Sequence, residues 1–133
     1  DGAIDFVFRS LSRAIGGEVF VPKLRAYTLG RLFDAFVQLT GRSPSVTETG
    51  ERPGEKRHEV LINEHEARLA FDIGTDYVVL PDPSTSARYG LNYNFDGMNP
   101  MNDSGRPYSS AYAEKMTVDE LKELLIKERL MET

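Results

Sequence analysis

The chain contains no cysteine, which removes disulfides, thiolate metal sites and thiol nucleophiles at once. That absence fits a reducing compartment, and the expected location is the cytoplasm. Histidine is scarce as well. His58 and His65 are its two copies, and with Glu59 and Glu64 nearby they form no tight ligand spacing, so no metal centre is expected. Positive charge is in deficit, with 16 Lys and Arg against 21 Asp and Glu and a formal net charge of -5. A phosphate backbone rewards a net basic face, so a general nucleic-acid binder is not expected. An anionic small molecule remains open if a few cations converge locally. No apolar run approaches the roughly 18 residues of a membrane span, and the N-terminus lacks a basic stretch followed by an apolar core and a small-residue cleavage site. No internal repeat is visible.

What is present suits one compact unit. At 133 residues and 40% hydrophobic content, the chain is long enough for a modest core and too short for two ordinary domains. Starting at Asp1 rather than Met, it reads as a portion of something longer. Ile4, Val7, Phe8, Leu11 and Ile15 recur at helical spacing, and Gly16-Gly17 supplies a stop. "EVFVP" (18–22) reads as a short strand closed by Pro22. Thr28 is placed to cap a helix whose apolar stripe is Leu29, Leu32, Phe33, Phe36 and Val37, ending near Gly41. "SVTET" (45–49) is a second short-strand candidate. "HEVLI" (58–62) is either a strand or the first turn of a helix running through "NEHEARLA", and "DYVVLPD" (76–82) is a stronger strand. Residues 83–112 are rich in Gly, Pro, Asn, Asp, Ser and Tyr and read as a functional loop or disorder. Tyr89, Tyr93, Tyr108 and Tyr112 there favour docking onto a surface. Thr117 and Glu120 form a capping box, and Val118, Leu121, Leu124, Leu125 and Ile126 are the expected buried side of the last helix.

One stretch carries chemistry. "TGERPGEKRHEVLI" (49–62) sets charged residues around a Pro-Gly step. Gly after Pro permits a tight turn with accessible backbone N–H groups, and the spacing of Arg52 and Glu55 lets both side chains enter one cleft. An arginine fork donates two parallel charge-assisted hydrogen bonds to a diphosphate, and a carboxylate accepts from both hydroxyls of a sugar diol. The alternative is a type I or II turn with solvated charges.

The order "GGEVFVPKL", a helix, then "ERPGEKRHEVLI" about thirty residues on resembles the C-terminal portion of bacterial UDP-N-acetylglucosamine 4,6-dehydratases and their CapD/CapE-like relatives. These are polysaccharide biosynthesis proteins of the extended short-chain dehydrogenase/reductase superfamily. "LNYNFDG" and "YSSAYAEKMTVDELKELL" are similar to the C-terminal segment of the CapE-like branch. The resemblance implies that Arg52 binds the substrate diphosphate and Glu55 the uridine ribose hydroxyls. It also places Lys23, at the end of "VPK", where the family's chain approaches the sugar nucleotide; a solvated lysine is the alternative there. Lys56 and His58 are assigned rim or structural roles, and His65 a surface position.

The chain lacks a Gly-x-x-Gly-x-x-Gly run after a strand and lacks a Tyr-x-x-x-Lys pair, so the superfamily's dinucleotide fingerprint and acid/base pair are both missing. The expected fold is α/β, a partial fold comprising the substrate-binding portion of an extended short-chain dehydrogenase/reductase without its Rossmann half. Residues 1–82 are expected to form the substrate-binding portion, with the Tyr/Gly/Pro-rich segment and C-terminal helix of 83–133 packing on it. The expected ligand is a UDP-sugar resembling UDP-N-acetylglucosamine, in capsule or surface-polysaccharide biosynthesis. No cofactor is expected in this chain, NAD(P) is implied for a complete enzyme, and the isolated chain is expected to be inactive. Exposed apolar surface is expected to drive homo-oligomerisation. The alternatives are a UDP-sugar 4-epimerase fragment, or a non-catalytic binding or oligomerisation module.

Overall fold

The computed structural model describes residues 2–102 and 104–128. Its contacts fall into two compact units, each assembled from two stretches of chain: Asp1–Leu24 with Val60–Ser109, and Arg25–Glu59 with Ser110–Thr133.

The first unit is built on a four-stranded antiparallel sheet. It comprises helix α1 (Gly2–Arg13), strand β1 (Val19–Pro22), strand β2 (Val60–Ile62), the single turn α3 (Glu64–Ala67), strands β3 (Ala70–Asp72) and β4 (Asp76–Val79), helix α4 (Pro83–Tyr89), and the two-residue strands β5 (Asn99–Pro100) and β6 (Tyr108–Ser109). Sheet order is β1-β4-β3-β5, with β2 and β6 paired separately. Val78 lies between Phe20 on one side and Phe71 on the other. Strand alternation then divides the apolar residues between two faces. Val21, Ile62, Ala67, Ala70 and Val79 form one cluster; Ile73, Val78 and Phe95 form the other, with Phe20 and Phe71 packed against it.

Helix α1 attaches by its polar side. The Arg9 guanidinium donates to both oxygens of Asp76, from Nε at 2.8 Å and from Nη2 at 2.9 Å. Thr75 Oγ1 donates to the same carboxylate at 2.9 Å, and the Arg13 guanidinium lies 6.0 Å from the Phe95 ring centre. Asp76 is 1% exposed. A buried carboxylate needs such partners, since isolated charge in a low-dielectric interior is strongly disfavoured. The Arg9 hydrogen bonds hold the Asp76 carboxyl below the usual carboxylate range, against the opposing effect of burial. The other side of α1 carries the apolar stripe into solvent: Ile4 is 60% exposed, Val7 51%, Phe8 68% and Leu11 67%.

The second unit pairs helix α2 (Leu29–Thr40) with helix α5 (Val118–Lys127). Thr28 Oγ1 accepts from the Arg31 N–H, and Gly41 closes α2 in the left-handed region at φ 63°. Thr117 and Glu120 make the expected capping box on α5. Ala35 on α2 and Leu121 on α5 are buried. Arg25 meets Glu114 at 3.0 Å and also forks onto Glu120, whose carboxyl falls to about 2 through Arg25 first and the Thr117 cap second.

Several expectations need correction. "SVTET" forms no strand; 42–57 carries no regular element apart from the turn described below. "HEVLI" resolves as β2, but the helix after it stops at Ala67, and "AFD" becomes β3. The segment 83–112 is not wholly loop, because α4 begins it. On α5, Leu124 and Ile126 are exposed rather than buried.

Candidate functional site

The loop 49–59 follows α2 after a stretch without regular structure and ends where β2 begins. Its tip is a hydrogen-bonded turn over Arg52, Pro53, Gly54 and Glu55. The Glu55 N–H donates to the Arg52 carbonyl at 3.0 Å, and Gly54 adopts φ 85°. Pro at the second position and positive φ at the third are the signature of a type II turn, which glycine adopts without the strain a Cβ imposes. Glu55 also folds back on the turn, its Oε2 accepting from the Arg52 N–H at 2.9 Å. One carboxylate oxygen is thereby committed to holding the backbone. Among the described residues the Arg52 guanidinium makes no hydrogen bond or ion pair, and Glu55 Oε1 has no partner.

The loop's shoulders are tied down by other groups. Arg57 Nε donates to Glu51 Oε1 at 2.7 Å, bracing the turn from its two sides. At the C-terminal end, the Ser110 N–H donates to the Glu59 carbonyl at 2.9 Å. The Ser110 hydroxyl accepts from the Glu59 N–H at 3.1 Å and lies 3.2 Å from His58 Nδ1. Charged groups therefore divide into two sets: Glu51 and Arg57 spend their charge on each other, while Arg52 presents its fork to solvent. Such a turn can offer a planar bidentate donor beside a carboxylate acceptor.

Lys23 has a different setting. It belongs to the first unit, where its Nζ donates to Asp72 Oδ1 and to the Gly74 carbonyl, both at 2.6 Å, and lies 5.0 Å from the Tyr77 ring centre. Gly74 sits in the turn between β3 and β4 at φ 89°, its N–H donating to Asp72 Oδ1 at 2.8 Å. Lys23 therefore anchors that hairpin. Arg52 and Glu55 share one turn in the second unit, so the structure joins two of the three sequence candidates locally.

Two charged constellations escaped the sequence reading. Arg9 and Asp76 are 67 residues apart and Arg25 and Glu120 are 95 apart, so no local pattern announces either pair. His65 lies exposed on α3, in keeping with a surface role. No described helix is long and apolar enough to cross a membrane.

Comparison with known proteins agrees with this architecture. The UDP-N-acetylglucosamine 4,6-dehydratase (inverting) of Campylobacter jejuni serotype O:23/36 is 28% identical over 83 residues, which is 61% of this chain and 23% of that protein. The UDP-glucose 4-epimerase of Rickettsia felis is 27% identical over 124 residues, 93% of this chain and 36% of that protein. The X-ray structure of Pen from Bacillus thuringiensis matches with a TM-score of 0.74 at 23% identity, covering 93% of this chain and 35% of that one; at that identity the likeness establishes the α/β fold. The chain thus spans between about a quarter and about a third of the length of these relatives. The model of the polysaccharide biosynthesis protein family matches residues 1–81, a majority of the chain that includes the whole Arg52–Glu55 turn, and the chain belongs to that family.

Proposed function

We propose that this chain is the nucleotide-sugar-binding portion of a UDP-N-acetylglucosamine 4,6-dehydratase acting in surface-polysaccharide biosynthesis. In this reading Arg52 grips the diphosphate and Glu55 accepts from the ribose hydroxyls. The supporting observation is the type II turn at 52–55, which presents an Arg52 fork with no partner among the described residues, within a family match spanning 1–81. Residues 1–82 are assigned the substrate-binding role and 83–133 a supporting one. Lys23 contributes at the sugar nucleotide only by leaving Asp72, with which it is paired at 2.6 Å.

The residues present do not fit a dinucleotide. The sequence has neither the glycine fingerprint nor the Tyr-x-x-x-Lys pair, so no redox step is assigned to this chain. NAD(P) belongs to a complete enzyme, and the chain alone is proposed to bind without turnover.

Calorimetric titration with UDP and UDP-N-acetylglucosamine, beside Arg52→Ala, tests the proposal. Binding by the native chain that Arg52→Ala loses is the expected result. No binding of either ligand, or binding indifferent to Arg52, overturns the clamp. A second reading, a UDP-glucose 4-epimerase portion, is favoured by the longer match to the Rickettsia protein, 124 residues against 83. Tighter binding of UDP-glucose than of UDP-N-acetylglucosamine would decide for it.

A further inference from the structure

Lys115 has no carboxylate partner among the described residues. Its ammonium is enclosed by backbone carbonyls, donating to Ser110 O at 2.5 Å, to Ala113 O at 2.9 Å and to Ala111 O at 3.3 Å. An ammonium has three N–H donors, so all three are engaged by one short turn, and Lys115 is half-buried there. Lysine ordinarily keeps its charged head in water; here the charge is committed to folding the backbone.

The turn is fixed at one end and grips at the other. At Lys115 the backbone is held just before α2: the Ala26 N–H donates to the Glu114 carbonyl and the Met116 N–H to the Ala26 carbonyl, both at 2.8 Å. Thr117 then caps α5. At the far end, Ser110 engages both backbone groups of Glu59, and its hydroxyl also meets His58. A continuing antiparallel ladder would direct the Glu59 N–H onto the Ser110 carbonyl. That carbonyl instead faces Lys115, and the Glu59 N–H goes to the Ser110 hydroxyl. Strand pairing gives way to loop at this point. Between α2 and Glu59 the chain carries no regular element beyond the 52–55 turn, so Arg52 rides on a long span whose nearer fixed end is Ser110. All of these residues belong to the second unit.

We infer that Lys115 is a positioning residue for the ligand loop: its ammonium locks the 110–113 turn, and the locked Ser110 fixes Glu59 and His58 and thereby the placement of Arg52. The inference rests on the reading of Arg52 as a ligand group. A loop held in its binding arrangement beforehand loses less conformational freedom when a ligand arrives. Lys115 therefore raises affinity for a nucleoside diphosphate by acting through Ser110 rather than on the ligand.

The absence of cysteine allows the ammonium to be removed and restored at one position. Lys115→Met removes it. Lys115→Cys alkylated with 2-bromoethylamine regains an ammonium at the reach of lysine, whereas alkylation with 1-bromopropane puts a methyl group in its place. Two readouts are taken on the whole chain: calorimetric titration with UDP, and hydrogen exchange at the Glu59 and Ser110 amides, with the α2 amides as the check on the fold. Lys115→Met is expected to weaken UDP binding about tenfold, and to speed exchange at Glu59 and Ser110 about tenfold or more while α2 stays protected. The aminoethyl form should return both readouts to within about threefold of the native chain, and the propyl form should not. Unchanged exchange in Lys115→Met overturns the proposal, as does equal recovery with the propyl group, which would make Lys115 a filler of space. Faster exchange with unchanged UDP affinity also overturns it, because the turn is then structural only. A native chain that fails to bind UDP brings down the clamp at Arg52, and exchange alone then decides whether Lys115 sets the loop. Ser110→Ala serves if Lys115→Met fails to fold: it keeps the carbonyls around Lys115, and unaltered exchange at Glu59 in that variant breaks the link from Lys115 to the loop and overturns the proposal.

Discussion

Removing the Asp76 carboxylate leaves the Arg9 guanidinium without the acceptor that orients α1 on the sheet. Asp76→Asn is expected to cost about 1–3 kcal/mol, the range for orphaning a charged hydrogen-bond partner that retains some solvent access, and urea titration at neutral pH checks it. The pH dependence has a definite sign. Arg9 makes the folded carboxyl bind its proton less readily than the unfolded one, whose ordinary pKa is about 3.9. The stabilisation is therefore complete above about pH 5 and is lost as pH falls through the folded value. Glu120 behaves alike: held at about 2 against an ordinary 4.5 by Arg25 and the Thr117 cap, it ceases to contribute between those values. Acid unfolding followed by circular dichroism should consequently be steep between about pH 4.5 and 2, and Asp76→Asn should flatten that limb. Neither pair was legible in the sequence, because long-range ion pairs leave no periodicity behind. Lys23 illustrates the same limit: its place at a strand end was readable, its partner Asp72 was not.

At the scale of elements, legibility follows from how local the determining physics is. Thr117 with Glu120, Thr28 and Gly41 are backbone-satisfying signals confined to one turn, and all three caps formed where the sequence placed them. Thr117→Ala should fray α5 and cost about 1 kcal/mol, measurable by thermal melting. Helix α4 had caps too, with Asp82 accepting from the Ser84 N–H, Pro83 inside the first turn and Gly90 in the left-handed region. It passed as loop because it buries no residue, so no apolar stripe accompanied the caps. Strand β3 was not read from the sequence, where the alternative helix reading ran through Ala70, for a related reason. At three residues, with its register set by pairing to β4 and β5, its identity depends on neighbours rather than on its own alternation. "SVTET" shows the converse: strand-forming residues without a partner strand form no strand. The 52–55 turn was legible as Pro-Gly, and its type follows from φ at Gly54. Nothing lies within 4 Å of a Cβ built there, so Gly54→Ala strains only the backbone, by roughly 1–2 kcal/mol. It should weaken UDP affinity about tenfold or less by loosening the turn, with little change elsewhere, which calorimetry beside Arg52→Ala resolves.

For the whole molecule, composition and architecture act together. The net charge of -5 opposes association at neutral pH, and that repulsion fades as pH approaches the isoelectric point near 5.1. With apolar side chains such as Phe8 and Leu29 open to solvent, light scattering should rise as pH is lowered from 7 toward 5 and fall again on return. By compact packing the chain forms two units, each assembled from two stretches distant in sequence; contact between distant stretches decides such a partition, and sequence proximity does not.

The sequence by itself determined the α/β class, the helix caps, the Pro-Gly turn carrying Arg52 and Glu55, and the family resemblance, because each rests on residues close together in the chain. Only the tertiary structure decided that α1 turns its arginines inward and its apolar stripe outward, that Lys23 serves a hairpin, and that three residues of "AFD" complete a sheet. Those outcomes depend on which distant group each side chain meets, as the Arg9 guanidinium meets the buried Asp76 carboxylate 67 residues away.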